Sequence, residues 1–137
     1  MKKLAIIDDY ERVALELADW SAIEGDVEIS VFHDHLADED ALAARLADFE
    51  IVCMMRERTP FPKSLIEALP DLKLLVTTGM RNLSFDMEAA CVRGVVVSGT
   101  AMLGYPASEH AVALMMSLFK KIPLENRVMH QGGWQGD

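Results

Sequence analysis

Leu72-Lys73-Leu74-Leu75-Val76-Thr77-Thr78-Gly79, then Asp86-Met87-Glu88-Ala89-Ala90-Cys91-Val92, then Arg93-Gly94-Val95-Val96-Val97-Ser98, is the stretch whose reading decides the fold. Leu72–Val76 is a short apolar run, read as a strand, and Gly79–Ser84 is a loop. Asp86–Val92 is read as a helix, ended by Arg93-Gly94, and Val95–Ser98 as the next strand. Two buried strands joined by a short helix make a parallel crossover unit.

The same alternation extends toward the N-terminus. Lys3–Ile7 reads as a buried first strand closed by Asp8-Asp9. Glu11–Ile23 places Val13, Leu15, Leu17, Trp20 and Ile23 against Glu11, Arg12, Glu16 and Asp19, the expectation being an amphipathic helix. Gly25-Asp26 breaks it, and Val27–Phe32 reads as the second strand. Asp38–Asp48, with Leu42 and Leu46 four apart, reads as a helix, and Phe49–Met55 as the third strand. Arg56–Pro62 is a loop, and Lys63–Leu69 a short helix stopped by Pro70. The whole implies an α/β fold: a three-layer parallel sheet with helices on both faces. In such sheets ligands collect beyond the carboxyl ends of the strands.

Beyond Gly104 the pattern changes. Pro106 suits a first helical turn, and Ala111–Met116, Leu118 and Phe119 make the helix apolar almost all round. A surface helix of one small domain is apolar on one face only, so a second domain or a partner subunit is expected to cover it. The reading is a protruding interdomain or dimerisation helix. Pro123–His130 reads as a short helix and Gln131–Asp137 as loop.

The 137 residues carry 13 Lys and Arg against 22 Asp and Glu, a net charge of −9. That length points to one domain. So acidic a surface repels a phosphate backbone, and nucleic acid is not an expected partner. The apolar runs are too short for a signal peptide core or a bilayer span, so no membrane is expected. Cys53 and Cys91 are read as two core thiols, in keeping with a reducing cytoplasm.

Arg56, Arg58 and Arg81 are cations in two strand-end loops. Arginine offers a planar fork matching a carboxylate, and backbone N–H groups of the Gly79-Met80-Arg81 turn add an anion-binding concavity. An anionic small molecule is one reading; pairing with the chain's many acids, Glu57 being adjacent, is the other. Asp8-Asp9 resembles the acidic pair of phosphoacceptor receiver domains. Met55-Arg56 and Ser98-Gly99-Thr100 stand where such domains carry the phosphoacceptor and the lysine, so the pair is read as a strand stop that caps the next helix. His33, His35, His110 and His130 form no metal-ligand spacing, and no metal is expected. No G-x-G-x-x-G occurs.

Taken together, Leu72–Gly79, Asp86–Ala90 and Arg93–Val97 resemble a hallmark stretch of the D-isomer-specific 2-hydroxyacid dehydrogenases. Met55–Thr59 resembles that family's arginine loop, Ala107–Leu114 its interdomain helix, and Ile122-Pro123 and Gly133-Trp134 its next landmarks. The resemblance implies a flavodoxin-like substrate-binding domain at 1–103 and an interdomain helix with the start of a linker at 104–137. An NAD(P)-binding domain and all catalytic residues would lie beyond Asp137. It implies hydride transfer between NAD or NADP and a D-2-hydroxy or 2-keto acid, by a cytoplasmic homodimer, with this chain inactive alone. Arg56, Gly79, Met80 and Arg81 would then meet the substrate carboxylate, and Gly104 and Ala107 the nicotinamide end of the cofactor. In the fourth loop Arg81, Leu83 and Ser84 stand where the family pattern has a Gly and an Asp-Asn pair. Either that turn differs, or the Arg81 side chain serves its own substrate. The alternative function is a stand-alone flavodoxin-like binding or signalling domain that dimerises through its C-terminal helix.

Overall fold

A computed structural model describes residues 1–134. It divides into two units, Met1–Met102 and the residues from Leu103 on.

The first unit is built on a five-stranded parallel sheet of β1 (Lys2–Ile7), β2 (Val27–Val31), β3 (Ile51–Met54), β4 (Leu74–Thr77) and β5 (Val96–Gly99). The strand order is β2-β1-β3-β4-β5. β1 is flanked on both sides, Leu4 pairing with Ile29 and with Ile51. Burial on both faces explains why its side chains from Leu4 to Ile7 are all apolar and buried.

Alternation along the strands sorts their side chains onto two faces. Ala5, Ile7, Val52, Met54 and Leu75 join one core with Leu42 and Leu46 of α1 (Glu39–Leu46), Leu65 and Ile66 of α2 (Lys63–Ala68), and Ala89 and Ala90 of α3 (Met87–Val92). All three helices therefore cover one face. Asp38 starts α1 by accepting from Ala41 N at 2.8 Å, and Asp86 starts α3 by accepting from Ala89 N at 2.9 Å. Gly94, at φ 70°, lets the chain turn back after α3.

The opposite face corrects one expectation. Leu4, Ile6, Ala14 and Val27 form its core, with Trp20 and Ile23 packed on it. Its cover, however, is a series of turns over 10–26, and the helix expected at Glu11–Ile23 does not form. Helices thus occupy one face of this unit, and the third layer is irregular backbone. Two causes are visible. Arg12 has φ 59°, which interrupts a right-handed helix at its start. The Asp9 carboxylate instead accepts from Val13 N at 3.1 Å and Ala14 N at 3.2 Å, organising isolated turns. Leu15 also breaks the apolar spacing: it stands two residues from both Val13 and Leu17 and cannot share their helical face. Leu15 and Leu17 are exposed, whereas Ala14 is buried.

The second unit comprises α4 (Pro106–Phe119) and α5 (Ile122–His130). Neither has a buried residue, and Val112, Leu114, Met115, Met116, Leu118 and Phe119 are all exposed. Lys121, at φ 52°, makes the corner between the helices. Of the loop expected at Gln131–Asp137, residues 135–137 lie outside the described residues. No helix among the described residues is long and apolar enough to cross a membrane.

The two thiols differ. Cys53 is half-buried in β3, where burial pushes its pKa up to about 11. Cys91 is exposed, because α3 turns Ala89 and Ala90 inward instead; it is not a core thiol. At pH 8 the folded protein should therefore take up iodoacetamide at Cys91 and spare Cys53, read by peptide mass spectrometry. Raising the pH toward 11, or unfolding the chain, should bring Cys53 into reaction. Equal labelling of both thiols at pH 8 would contradict the packing of β3.

Candidate functional site

The loops after β1, β3, β4 and β5 leave the sheet at one edge. Three of these strand ends pass through a left-handed conformation, at Asp8, Arg56 and Gly79, the first two without the freedom of glycine. Asp8 has φ 60° directly after β1, and Arg56 has φ 60° just after β3. Non-glycine residues there cost on the order of 1–3 kcal/mol and persist where surroundings hold them.

Around Asp8 the holding groups are explicit. Its carboxylate is buried, accepting from the Thr59 hydroxyl at 2.6 Å and lying 3.0 Å from His35 Nδ1. The Tyr10 hydroxyl donates to the same carboxylate at 3.3 Å. Partial desolvation, then the charge and hydrogen bond of Asp8, hold the Tyr10 hydroxyl above its ordinary pKa. The Asp8 carbonyl accepts from Arg58 Nη1 at 2.6 Å, and the Arg58 guanidinium lies 4.6 Å over the Tyr10 ring. Next to it, the Asp9 carbonyl is 2.9 Å from His33 Nδ1. The acidic pair after β1 is thus a tie between three loops.

Around Arg56 the holding groups come from the loop after β4. Its backbone N–H donates to Thr78 Oγ1 at 3.1 Å, and its carbonyl accepts from Asn82 Nδ2 at 2.7 Å. Asn82 Nδ2 also donates to Thr77 Oγ1 at 3.0 Å, while Asn82 Oδ1 accepts from the N–H of Ser84. One side chain therefore fixes the loops after β3 and β4 together. Gly79 N donates to Thr100 Oγ1 at 3.0 Å, joining the loop after β5.

Glycine is required at two points. Gly79 has φ 101°, and a Cβ there would sit 2.6 Å from Arg56 Nη1. A Cβ on Gly99 would meet the Gly79 carbonyl oxygen at 2.6 Å and Met80 Cα at 3.0 Å, both backbone atoms. The smallness of Gly99 lets the 79–80 backbone lie against the end of β5.

These contacts shape a hollow of about 430 Å³ lined by Arg56, Glu57, Met80, Arg81, Leu83 and Met102. The expected residues Arg56, Met80 and Arg81 line it directly, and Gly79 stands beside the Arg56 guanidinium. Arg56 donates from Nη1 to Met102 Sδ. Glu57 Oε1 accepts from Leu83 N at 3.0 Å. Arg81 keeps a negative φ, so the turn accepts a side chain at 81 and needs glycine only at 79. Arg58, the third loop cation, is spent on Asp8 and Tyr10. Thr78, Asn82, Gly99 and Thr100 were absent from the sequence-derived site; only the glycine near a strand end gives a local hint. Gly104 and Ala107 are exposed residues at the start of the second unit.

A separate hollow of about 440 Å³ lies on the turn-covered face, walled chiefly by apolar side chains such as Ala14, Leu17, Trp20, Met55 and Val76. Arg58, Thr78 and Thr100 also border it, but Arg58 is bound to the Asp8 carbonyl and both hydroxyls accept from backbone N–H groups, so the arginine hollow is the better chemical site. Among the described residues no three His, Cys, Asp or Glu side chains are grouped to hold a metal.

This parallel α/β domain brings Arg56 and Arg81 to one hollow beyond its strand ends, where the ligands of such sheets collect. Its lineage is shown by comparison. The pattern of the D-isomer specific 2-hydroxyacid dehydrogenase catalytic domain matches residues 4–113, and the chain belongs to that family. D-3-phosphoglycerate dehydrogenase of Archaeoglobus fulgidus is 25% identical over 134 residues, which are 97% of this chain and 24% of that protein. The crystal structure of phosphoglycerate oxidoreductase from Vibrio cholerae O395 superposes with a TM-score of 0.86 at 32% identity, over 99% of this chain and 43% of that one. Apo D-lactate dehydrogenase of Escherichia coli shares the fold, with a TM-score of 0.74 at 22% identity over 97% of this chain and 42% of that one. The chain thus spans less than half the length of each.

Replacing Asn82 by Ala should cost about 1–3 kcal/mol, because the Arg56 carbonyl and Thr77 hydroxyl both lose a partner. Urea titration of the variant checks this. A loss under a few tenths would show that Asn82 does not hold the two loops.

Proposed function

We propose that this chain is the substrate-binding portion of an oxidoreductase that transfers a hydride between NAD or NADP and C2 of a D-2-hydroxy or 2-keto acid. The observation that carries this reading is the convergence of the Arg56 side chain and the Gly79–Arg81 backbone on one hollow beyond the strand ends. A carboxylate seated there meets the Arg56 fork and the N–H groups of Met80 and Arg81. Gly79 leaves room for both.

The nicotinamide cofactor supplies the redox chemistry, and the residues present do not cradle it. The end of β1, where dinucleotide-binding folds carry a glycine-rich turn opening a helix, here carries the buried acids Asp8 and Asp9 and a run of turns. That end would repel a pyrophosphate. NAD(P) binding and all catalytic residues are therefore assigned to a further domain, with residues 1–103 as the substrate domain and 104–137 as interdomain helix and linker. Gly104 and Ala107 are assigned to the nicotinamide end. The apolar surface of α4 is assigned to homodimer formation, and the protein to the cytoplasm.

What this chain does is bind and orient. The Arg56 guanidinium fixes the acid's carboxylate by charge and paired hydrogen bonds. The loop ties from Thr78 and Asn82 hold the Arg56 backbone, and that from Thr100 holds the Gly79 turn, before substrate arrives. Preorganisation of this kind lowers the entropy cost of reaching a reactive geometry.

Residues 1–137 alone should neither bind NADH in calorimetry nor oxidise it with any 2-keto acid. The polypeptide with the gene's own dinucleotide-binding domain should turn over, and Arg56→Gln in it should lower kcat/KM about 100-fold. NADH turnover by residues 1–137 alone would overturn the reading. So would silence of the longer polypeptide toward every 2-hydroxy acid.

A further inference from the structure

Three arginines occupy the loops after β3 and β4, and the structure accounts for two of them. Arg58 is bound to the Asp8 carbonyl and stacked on Tyr10. Arg56 stands beside Gly79, in the position assigned above to the substrate carboxylate. Arg81 lines the same hollow, and among the described residues its guanidinium forms no hydrogen bond and no ion pair.

An unpartnered cation in the hollow is notable in a chain of net charge −9. Glu57, the one acid lining the hollow, is turned to the backbone by its bond to Leu83 N. Two arginines against one carboxylate leave the hollow with a positive balance. A ligand with a single carboxylate occupies the Arg56 fork and leaves Arg81 without a counter-charge. The remaining lining is apolar and exposed: Met80, Leu83 and Met102. That surface suits a short carbon spacer between two charged ends.

We infer that Arg81 is a specificity-determining residue, its guanidinium receiving a second anionic group carried two or three bonds beyond C2 of the acid. The ligand class is a 2-hydroxy or 2-keto acid with a second carboxylate or a phosphoryl group. This rests on the assignment of Arg56 and Gly79–Arg81 to the first carboxylate. A bidentate arginine contact serves either anion, since both present paired oxygens to the planar fork.

The test is a titration of the isotope-labelled 137-residue chain, followed by backbone amide shifts of residues 79–83, with three probes. D-lactate carries one anionic group, D-malate adds a carboxylate, and D-3-phosphoglycerate adds a phosphoryl group. The two doubly charged acids, or one of them, should bind roughly tenfold more tightly than D-lactate, and which one identifies the second anion. Arg81→Met should erase that preference, whereas Arg81→Lys, which keeps the charge, should retain part of it. Arg56→Gln should weaken all three probes. Equal affinity for all three acids, or an Arg81→Met effect equal on all three, overturns the role of Arg81 and leaves the carboxylate site standing. Absence of any shift at residues 79–83 with every probe overturns the carboxylate site, and the inference with it.

Discussion

One buried carboxylate organises the working edge of the sheet. Asp8 leaves β1 in a left-handed conformation, and its two oxygens and carbonyl collect Thr59, His35, Tyr10 and Arg58. A carboxylate so deep is tolerated only because each oxygen has a donor. Its partners come from the loops after β2 and β3, so both loops are drawn onto the end of β1. Arg56 lies two residues before Arg58, and its own backbone is held from the far side by Thr78 and Asn82. The arginine that faces the hollow is therefore braced from both directions.

Sheet topology makes this possible. Parallel strands need long connections, and every connection leaves from the same edge. With β1 and β3 adjacent near the middle of the sheet, the loops following them are neighbours in space. Polar side chains from both can meet there with no help from sequence proximity. The glycines then set the closest approaches, Gly99 against the 79–80 backbone and Gly79 against the arginine head.

Much of the architecture was legible because apolar runs and caps are local signals. The short blocks around β1, β3, β4 and β5, the helices opening at Asp38 and Asp86, and the Gly94 stop all declare themselves within a few residues. The layer over 10–26 did not, since its conformation is decided by Asp9 capturing two backbone N–H groups and by Arg12 adopting a positive φ. Neither follows from apolar spacing. The site divides in the same way. Arg56, Gly79, Met80 and Arg81 could be placed at strand ends by counting along the chain. Thr78, Asn82 and Thr100 matter through bonds that span about twenty residues or more, to Arg56 or Gly79, and a pattern read along the chain does not register them.

The division of labour within the loop after β4 bears on how such a domain changes over evolutionary time. Gly79 and Asn82 hold the loop's conformation, whereas Met80, Arg81 and Leu83 point their side chains outward and belong to neither hydrophobic cluster. Exchanges at those three positions alter the lining of the hollow without disturbing the scaffold. Selection can therefore reshape the hollow by single steps, each nearly free of a folding penalty. A lineage built on this plan can vary that surface while its backbone stays still.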